Sequence, residues 1–288
     1  MISGRDWPAW SGGWCVIASE VEAVLGDNLA MRTSSFRVPV GGVTAVIGPN
    51  GSGKSTLLNL VAGLVAPTSG SIEVLGTSPI EARRRVAYVL QATEVNVTLP
   101  VSVREVVTMG RYAGRGPLDR LTRADRAAVD RAMDSLAITD LARSSLHELS
   151  GGQRQRVFVA QGLAQDHDLL LLDEPSIGLD LVSTAAIERV IQVEKSIGRS
   201  VVLTTHDVSQ ALASDWALLM AGGVVASGQP HQALNPESLA LAYGIKVVQG
   251  PDGRYVVDDP AHASVASRHV HLDRSLHVEA PGRGLHEP

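Results

Sequence analysis

The sequence predicts an α/β fold, a mainly parallel sheet interrupted by an inserted helical unit. Three observations carry that expectation. Short runs of strand character at 43–47, 86–90, 168–173 (apolar over 169–172) and 200–205 read as buried strands. Helix-like stretches separate them, and strands that alternate with helices imply a parallel sheet. Between the second and third runs the texture changes: residues 102–165 have helical periodicity, many Arg–Asp/Glu pairs and no strand-like run.

The elements follow in order. Residues 1 to about 14 are rich in Gly, Trp and Ser and read as irregular, with Trp7, Trp10 and Trp14 as loop aromatics or a partner contact. The loose alternation over 16–24 reads as an edge strand. Gly26, Asp27 and Asn28 signal a turn, and 29–40 read as a second strand. The run 43–47 leads into GPNGSGKST at 48–56, then into a helix that ends near Gly63. A turn at 67–70 precedes a short strand over 71–75, and the run 86–90 ends at Gln91. Thr122 caps a helix over 123–136, with Asp125 in its first turn. The arginines across 104–131 alternate with Glu105, Asp119, Asp125, Asp130 and Asp134. They read as a solvated, salt-bridged helix surface rather than a basic docking face. A helix over 181–197 precedes the run 200–205, and a hairpin over 218–226 turns at Gly222 and Gly223. A short helix over 236–243 and a hairpin over 247–257 close the periodic part. The expected organisation is an irregular segment over 1–15, a main domain over 16–233 with its helical unit at about 92–148, and a C-terminal extension over 234–288.

Bulk properties narrow the function. A net charge of −5 over 288 residues argues against non-specific nucleic-acid binding. Cys15 is the only cysteine, so no intrachain disulfide can form. No apolar run reaches the length of about 18 residues that a membrane helix needs, and the first residues lack the order of a signal peptide. The chain reads as soluble and cytoplasmic, with any membrane connection made through a partner.

The chemistry concentrates in a few stretches. Gly48, Pro49, Asn50, Gly51, Ser52, Gly53, Lys54, Ser55 and Thr56 match G-x-x-x-x-G-K-[ST] between a strand and a helix, the context of a phosphate-binding loop. Its glycines let backbone N–H groups turn around an anion, and the helix start adds its positive dipole end. Lys54 would reach the β- and γ-phosphates, and Ser55 would place its hydroxyl on Mg²⁺. The strand 169–172 delivers Asp173 and Glu174 at its C-terminal end, where α/β folds bind ligands. There Asp173 can hold Mg²⁺ and Glu174 can polarise a water. Ser150, Gly151, Gly152 and Gln153 read as a capped helix start and, in addition, as a second anion site. Gln91 and His206 each stand at a strand exit, and 176–180 follows Pro175.

Order and spacing decide between these readings and plain turns. The chain resembles the ATP-binding subunits of ABC transporters over about 16–233, with the signature LSGGQ unchanged at 149–153. The resemblance implies a P-loop NTPase (RecA-like) core sheet, an antiparallel β subdomain and an inserted α-helical subdomain. It implies ATP and Mg²⁺ as cofactors. By it, Lys54 and the loop amides hold the phosphates, Ser55 and Gln91 coordinate Mg²⁺, and Asp173 holds it in the second shell. Glu174 is the general base, and His206 contacts the γ-phosphate. Asp180 crosses a dimer interface, and Ser150 and Gly152 bind the ATP of a second copy. The sequence departs from the family at Leu25, where an aromatic usually stacks on adenine; either Leu25 supplies apolar contact or Trp14 folds over the base.

The implied partners are a second ATP-binding subunit, transmembrane permease subunits and, through them, an extracytoplasmic solute-binding protein, with no nucleic acid. The implied place is the cytoplasmic face of the plasma membrane. Residues 109–112, 125–129 and 161–165 look like the metal-import branch, for zinc or manganese. Importers of iron chelates or cobalamin are the alternative, and a non-transport ABC ATPase a more distant one. His262, His269, His271, His277 and His286 form a candidate Zn²⁺ tract, although their irregular spacing also fits a plain polar tail.

Overall fold

The computed structural model describes residues 13–90, 101–113, 120–244, 246–249 and 255–258. Gln91, Trp7, Trp10 and the five tail histidines lie outside the described residues. β1 (Trp14–Leu25) and β2 (Asn28–Pro39) form an antiparallel hairpin. β3 (Val43–Ile47) leads through the glycine-rich loop into α1 (Lys54–Val61), and β4 (Ser69–Val74) pairs along the other side of β1. β1 is therefore the centre of a three-stranded antiparallel sheet, not the edge strand that its sequence predicts. Its loose alternation has a different cause. The register shifts between Ala18 and Val21, where Glu20 sits at φ 49°, and again before Val24. Such bulges break the two-residue period while both ladders persist.

After α2 (Pro79–Ala82) and β5 (Val86–Val89) comes the helical unit, with α3 (Val103–Met109), α4 (Arg123–Ser135) and α5 (Gly151–Ala164). β6 (Leu169–Leu172), α6 (Leu181–Ser196), β7 (Ser200–Thr205) and α7 (Val208–Leu212) follow, then β8 (Trp216–Met220) and β9 (Val224–Gly228). The larger sheet has the order β5-β6-β7-β3-β8-β9, parallel throughout except for the antiparallel β9. α8 (Pro230–Ala233), α9 (Pro236–Tyr243) and the hairpin of β10 (Lys246–Gln249) and β11 (Tyr255–Asp258) complete the described chain.

The sheet is buried on both faces, which is why its strands are continuous apolar runs. Leu169 and Leu171 join Val46, Val202 and Leu218 in the core under α1 and the small sheet. Leu170 and Leu172 join Ala45, Ile47, Val201 and Leu203 in the core shared with the helical unit. That unit begins its helices as the sequence predicts: the Thr122 hydroxyl accepts from the Asp125 N–H, and the Asp125 carboxylate accepts from the Thr122 N–H. The exposed Arg104–Asp130 pair, at 2.6 Å, fits a solvated face. Arg111 does not: only 10% of its side chain is exposed, and it donates to Asp125, Asp166 and the carbonyl of Ala164 at 2.7–3.2 Å. Next to it, Gly110 presses on the carbonyl of Gln161, where a Cβ would overlap. The stretches 109–112 and 161–165 are thus packing partners that tie α3 to α5.

Candidate functional site

Three adjacent strands of the sheet, β6, β7 and β3, run parallel and end together. Val46 pairs with Thr204 and Ile47 with Thr205, while Leu172 pairs with Leu203. The residues just past these ends are Gly48, Asp173 and His206, so the topology itself gathers them along one edge.

The loop after β3 is shaped by backbone that only glycine takes readily. Gly51 and Gly53 have φ of 76° and 97°, and a Cβ on Gly53 would lie 2.9 Å from the carbonyl of Ala30. Lys54 opens α1 and is buried, yet its ammonium stays at the loop, donating to the carbonyls of Gly48 (3.0 Å) and Pro49 (3.1 Å). The Ser52 hydroxyl is buried with no hydrogen-bond partner. A buried cation, an unsatisfied hydroxyl and a glycine-lined helix start form a cradle suited to a phosphate chain. The cradle opens into a cleft of about 620 Å³ that Asn50, Ser55, Thr56, Asp173 and Glu174 also line. Ser55 and Asp173 offer oxygen donors only, the set that suits a hard divalent cation such as Mg²⁺.

Asp173 is buried at the exit of β6 and held on both oxygens. Thr204 donates to Oδ1 at 2.5 Å, and Tyr88 donates to Oδ2 at 3.4 Å. Glu174 follows at φ 45°, and its N–H donates to Thr204 Oγ1 at 2.7 Å. Its carboxylate stands 3.8 Å from the Lys54 ammonium. Glu174 also lines a neighbouring hollow of about 270 Å³ shared with Ser176, Thr205 and His206. So Lys54, Ser55, Asp173 and Glu174 meet in one cleft, and His206 stands beside it, exposed, behind Glu174.

The signature stretch lies elsewhere. Ser150 caps α5 in a reciprocal box with Gln153, at 3.2 and 2.9 Å, and both Ser150 and Gly151 are exposed. Gly152 is buried against the start of α6, where a Cβ would lie 2.6 Å from Ser183 Oγ and 2.8 Å from Asp180 Oδ2. Asp180 caps α6 by accepting from the Ser183 N–H at 2.7 Å. That bond, with a smaller contribution from the charge of Arg156, holds the Asp180 carboxyl below its ordinary range. None of Ser150, Gly152 or Asp180 lines the Lys54 cleft.

Thr204, Tyr88 and Ser183 are the polar residues that sequence reasoning missed. A signal existed for one of them, since Thr204 and Thr205 interrupt an otherwise apolar strand just before His206. Trp14, expected in the irregular N-terminal segment, opens β1, and of the two alternatives at the base site its own is not taken. Its ring meets Trp216 edge-on at 5.6 Å, and Arg37 stacks over it at 5.8 Å. Trp216 pairs with Thr44 at the opposite end of β3 from the glycine loop, so Trp14 does not cover that cleft.

The family model described as ABC transporter matches residues 31–177. The chain belongs to the ABC transporter family. The matched span contains the glycine loop, the signature and Asp173–Glu174, and stops short of Asp180 and His206. The zinc transport system ATP-binding protein TroB of Treponema pallidum is 38% identical over 80% of this chain and 88% of its own length. The manganese transport system ATP-binding protein MntB of Bacillus subtilis is 37% identical over 74% of this chain and 86% of its own. Among solved structures, an inward-facing ABC transporter of metal-chelate type superposes with a TM-score of 0.72 at 27% identity. It covers 87% of this chain and 99% of that one. As a member of this ABC family the chain is an ATP-binding, ATP-hydrolysing subunit with the expected RecA-like core, antiparallel β subdomain and helical insert. No helix among the described residues is long and apolar enough to cross a membrane.

Proposed function

We propose that this chain powers the import of a metal ion, zinc or manganese, by hydrolysing ATP beneath partner permease subunits. The observation that carries the ATPase chemistry is the meeting of Lys54, Ser55, Asp173 and Glu174 in one cleft, with the Glu174 carboxylate 3.8 Å from the Lys54 ammonium. In this reading the loop amides, Ser52 and Lys54 hold the β/γ-phosphates. Ser55, Asp173 and Gln91 hold Mg²⁺, which when bound neutralises phosphate charge. Glu174 accepts the proton of the attacking water as that water's oxygen bonds to the γ-phosphorus. The bond to the ADP oxygen breaks, leaving ADP and phosphate. His206 orients the water and Glu174 from the adjoining hollow. Ser150 and Gly152, which do not line this cleft, close the site of a second copy, with Asp180 between the two.

The cargo reading draws support from the relatives named for zinc and manganese transport, and from the likeness to a transporter of metal-chelate type. A chelated-iron system relative in Yersinia pestis, 36% identical over 75% of this chain, favours iron as the second reading. The chain then works at the cytoplasmic face of the membrane, and a solute-binding protein delivers cargo to the permease. The histidine tail is a candidate Zn²⁺ site, checked by native mass spectrometry with and without Zn²⁺.

Glu174→Gln tests the ATPase assignment: hydrolysis should fall at least ~100-fold, and the variant should sediment as an ATP-bound dimer. Hydrolysis at the parent rate would remove Glu174 as the base. With the permease in vesicles, ATP-driven uptake of Zn²⁺ or Mn²⁺ is expected, and uptake of neither would overturn the cargo.

A further inference from the structure

Thr204 is fully buried near the end of β7, one residue past the Leu203–Leu172 pair. It therefore stands opposite the exit of β6, where Asp173 and Glu174 emerge. Its hydroxyl makes two hydrogen bonds there. It donates to Asp173 Oδ1 at 2.5 Å and accepts from the Glu174 N–H at 2.7 Å. The senses are forced, because an ionised carboxylate only accepts and an amide only donates; one hydroxyl can serve both at once.

The second bond falls on a backbone that needs it. Glu174 has φ 45°, the left-handed region that a residue with a Cβ occupies only when its surroundings hold it there. That turn aims the Glu174 side chain back toward Lys54, 3.8 Å away, and into the cleft. The first bond fixes Asp173 from one side while Tyr88, on β5, donates to Oδ2 from the other. Packing alone does not ask for threonine: the neighbours Val201, Val202 and Leu203 fill the same sheet with apolar side chains. Valine would match its shape and supply neither bond.

We propose that Thr204 is a positioning residue for ATP hydrolysis, one hydroxyl that orients the Asp173 carboxylate and holds Glu174 in its strained turn. This rests on the roles proposed above for Asp173 and Glu174.

The test compares Thr204→Val, Thr204→Ser and Glu174→Gln in the full-length chain. Two quantities are measured: steady-state ATPase kinetics, and the affinity for a fluorescent ATP analogue in Mg²⁺ and in EDTA. Thr204→Val should lower kcat by about 10- to 100-fold, the usual cost of losing a group that orients a metal ligand, with the KM for ATP within about twofold. The gain in nucleotide affinity on adding Mg²⁺ should shrink by about tenfold as Asp173 loses its orientation. Thr204→Ser keeps the hydroxyl and should restore both quantities. A Thr204→Val chain that keeps its kcat and its Mg²⁺ gain overturns the proposal. So does a Thr204→Ser chain as impaired as Thr204→Val, since the methyl group would then matter. If Thr204→Val does not fold, Thr204→Ala is read by the same criteria; failure of both to fold makes the hydroxyl a folding determinant and also overturns the proposal. The Glu174→Gln arm separates the layers. If it hydrolyses ATP normally while Thr204→Val still loses its Mg²⁺ gain, the base is misassigned and the tie between Thr204 and Asp173 stands.

Discussion

Replacing Glu194 by glutamine removes the centre of a buried charge cluster far from the nucleotide cleft. Glu194, on α6, accepts from His167 Nε2 at 2.9 Å and from Arg199 Nη1 at 2.8 Å, and all three side chains are buried. His167 Nδ1 faces the carbonyl of Gln165 at 2.8 Å, so both ring nitrogens point at acceptors. Burial by itself would raise the Glu194 pKa, but the hydrogen bonds and charges of His167 and Arg199 outweigh it and bring it from 4.5 down to about 2. A depressed carboxyl stabilises the fold above its unfolded value and loses that contribution as pH falls through its folded value. Converted at about 1.4 kcal/mol per pKa unit, the shift is on the order of 3 kcal/mol, present at pH 7 and lost between about pH 4.5 and pH 2. Breaking a buried pair by removing one partner costs about the same, 3–5 kcal/mol. Glu194→Gln should therefore lower the urea midpoint clearly at pH 7, followed by circular dichroism. The gap between variant and parent should close as the pH is taken down toward 2. Equal midpoints at pH 7, or a gap that persists unchanged at pH 3, would refute the reasoning.

Three other outcomes are expected. Gly110→Ala puts a methyl group into the carbonyl of Gln161 and should destabilise the chain by about 1–3 kcal/mol, as overpacking does; ATP affinity should survive, and a thermal midpoint unchanged from the parent would contradict the packing. Leu25 is exposed at the tip of the β1–β2 hairpin, whose strand β2 carries Ala30 into the cleft, so Leu25→Tyr should tighten ATP binding through a stacking face. Unchanged affinity in a fluorescence titration would remove Leu25 from the base site. His206→Ala should slow hydrolysis by about 10²-fold or more with nucleotide binding retained, and a parent-like rate would leave the hollow behind Glu174 without a catalytic part.

What could be read ahead of the structure follows from the range of the interactions. The strands 43–47, 169–172 and 200–205 were legible because both faces of each are buried, which leaves an uninterrupted apolar run. The glycine loop and the Thr122 cap were legible because their partners lie within a few residues. β1 was misplaced because its bulges at Glu20 blur the alternation from which position in a sheet is inferred. Tyr88 was invisible, and the threonines of β7 hinted at a polar role without naming a partner, because the partner is Asp173, separated from Thr204 and Tyr88 by 31 and 85 residues and reached only when β5, β6 and β7 pair. Arg111 looked like one more surface arginine, since nothing local shows that Asp125, Asp166 and the Ala164 carbonyl converge on it. The same convergence changes the weight of 109–112 and 161–165 as markers of cargo. Gly110 and Arg111 lock the helical unit together, so their presence speaks for a way of packing that unit, and the cargo argument rests on the relatives.

The glycine loop and the signature stretch, the two proposed nucleotide contacts of the chain, are separate but physically linked. From Glu174 the chain runs through the buried Pro175 and the turn at Gly178, φ 65°, to Asp180, a connection of six residues. Asp180 then caps α6 and, with Ser183, abuts Gly152 in the first turn of α5. The contact is tight enough that no side chain fits between them, so the start of α5 cannot move toward α6 without displacing Asp180. In the proposed pair of subunits, Glu174 serves the ATP held by its own Lys54, while Ser150 and Gly152 face the ATP held by the other copy. In that proposal a shift of the 175–180 segment at one nucleotide would press on the start of α5, which is proposed to grip the second. Such a coupling would need no long-range relay. It would act through one short segment whose two ends are held, at Glu174 by Thr204 and at Asp180 by Ser183.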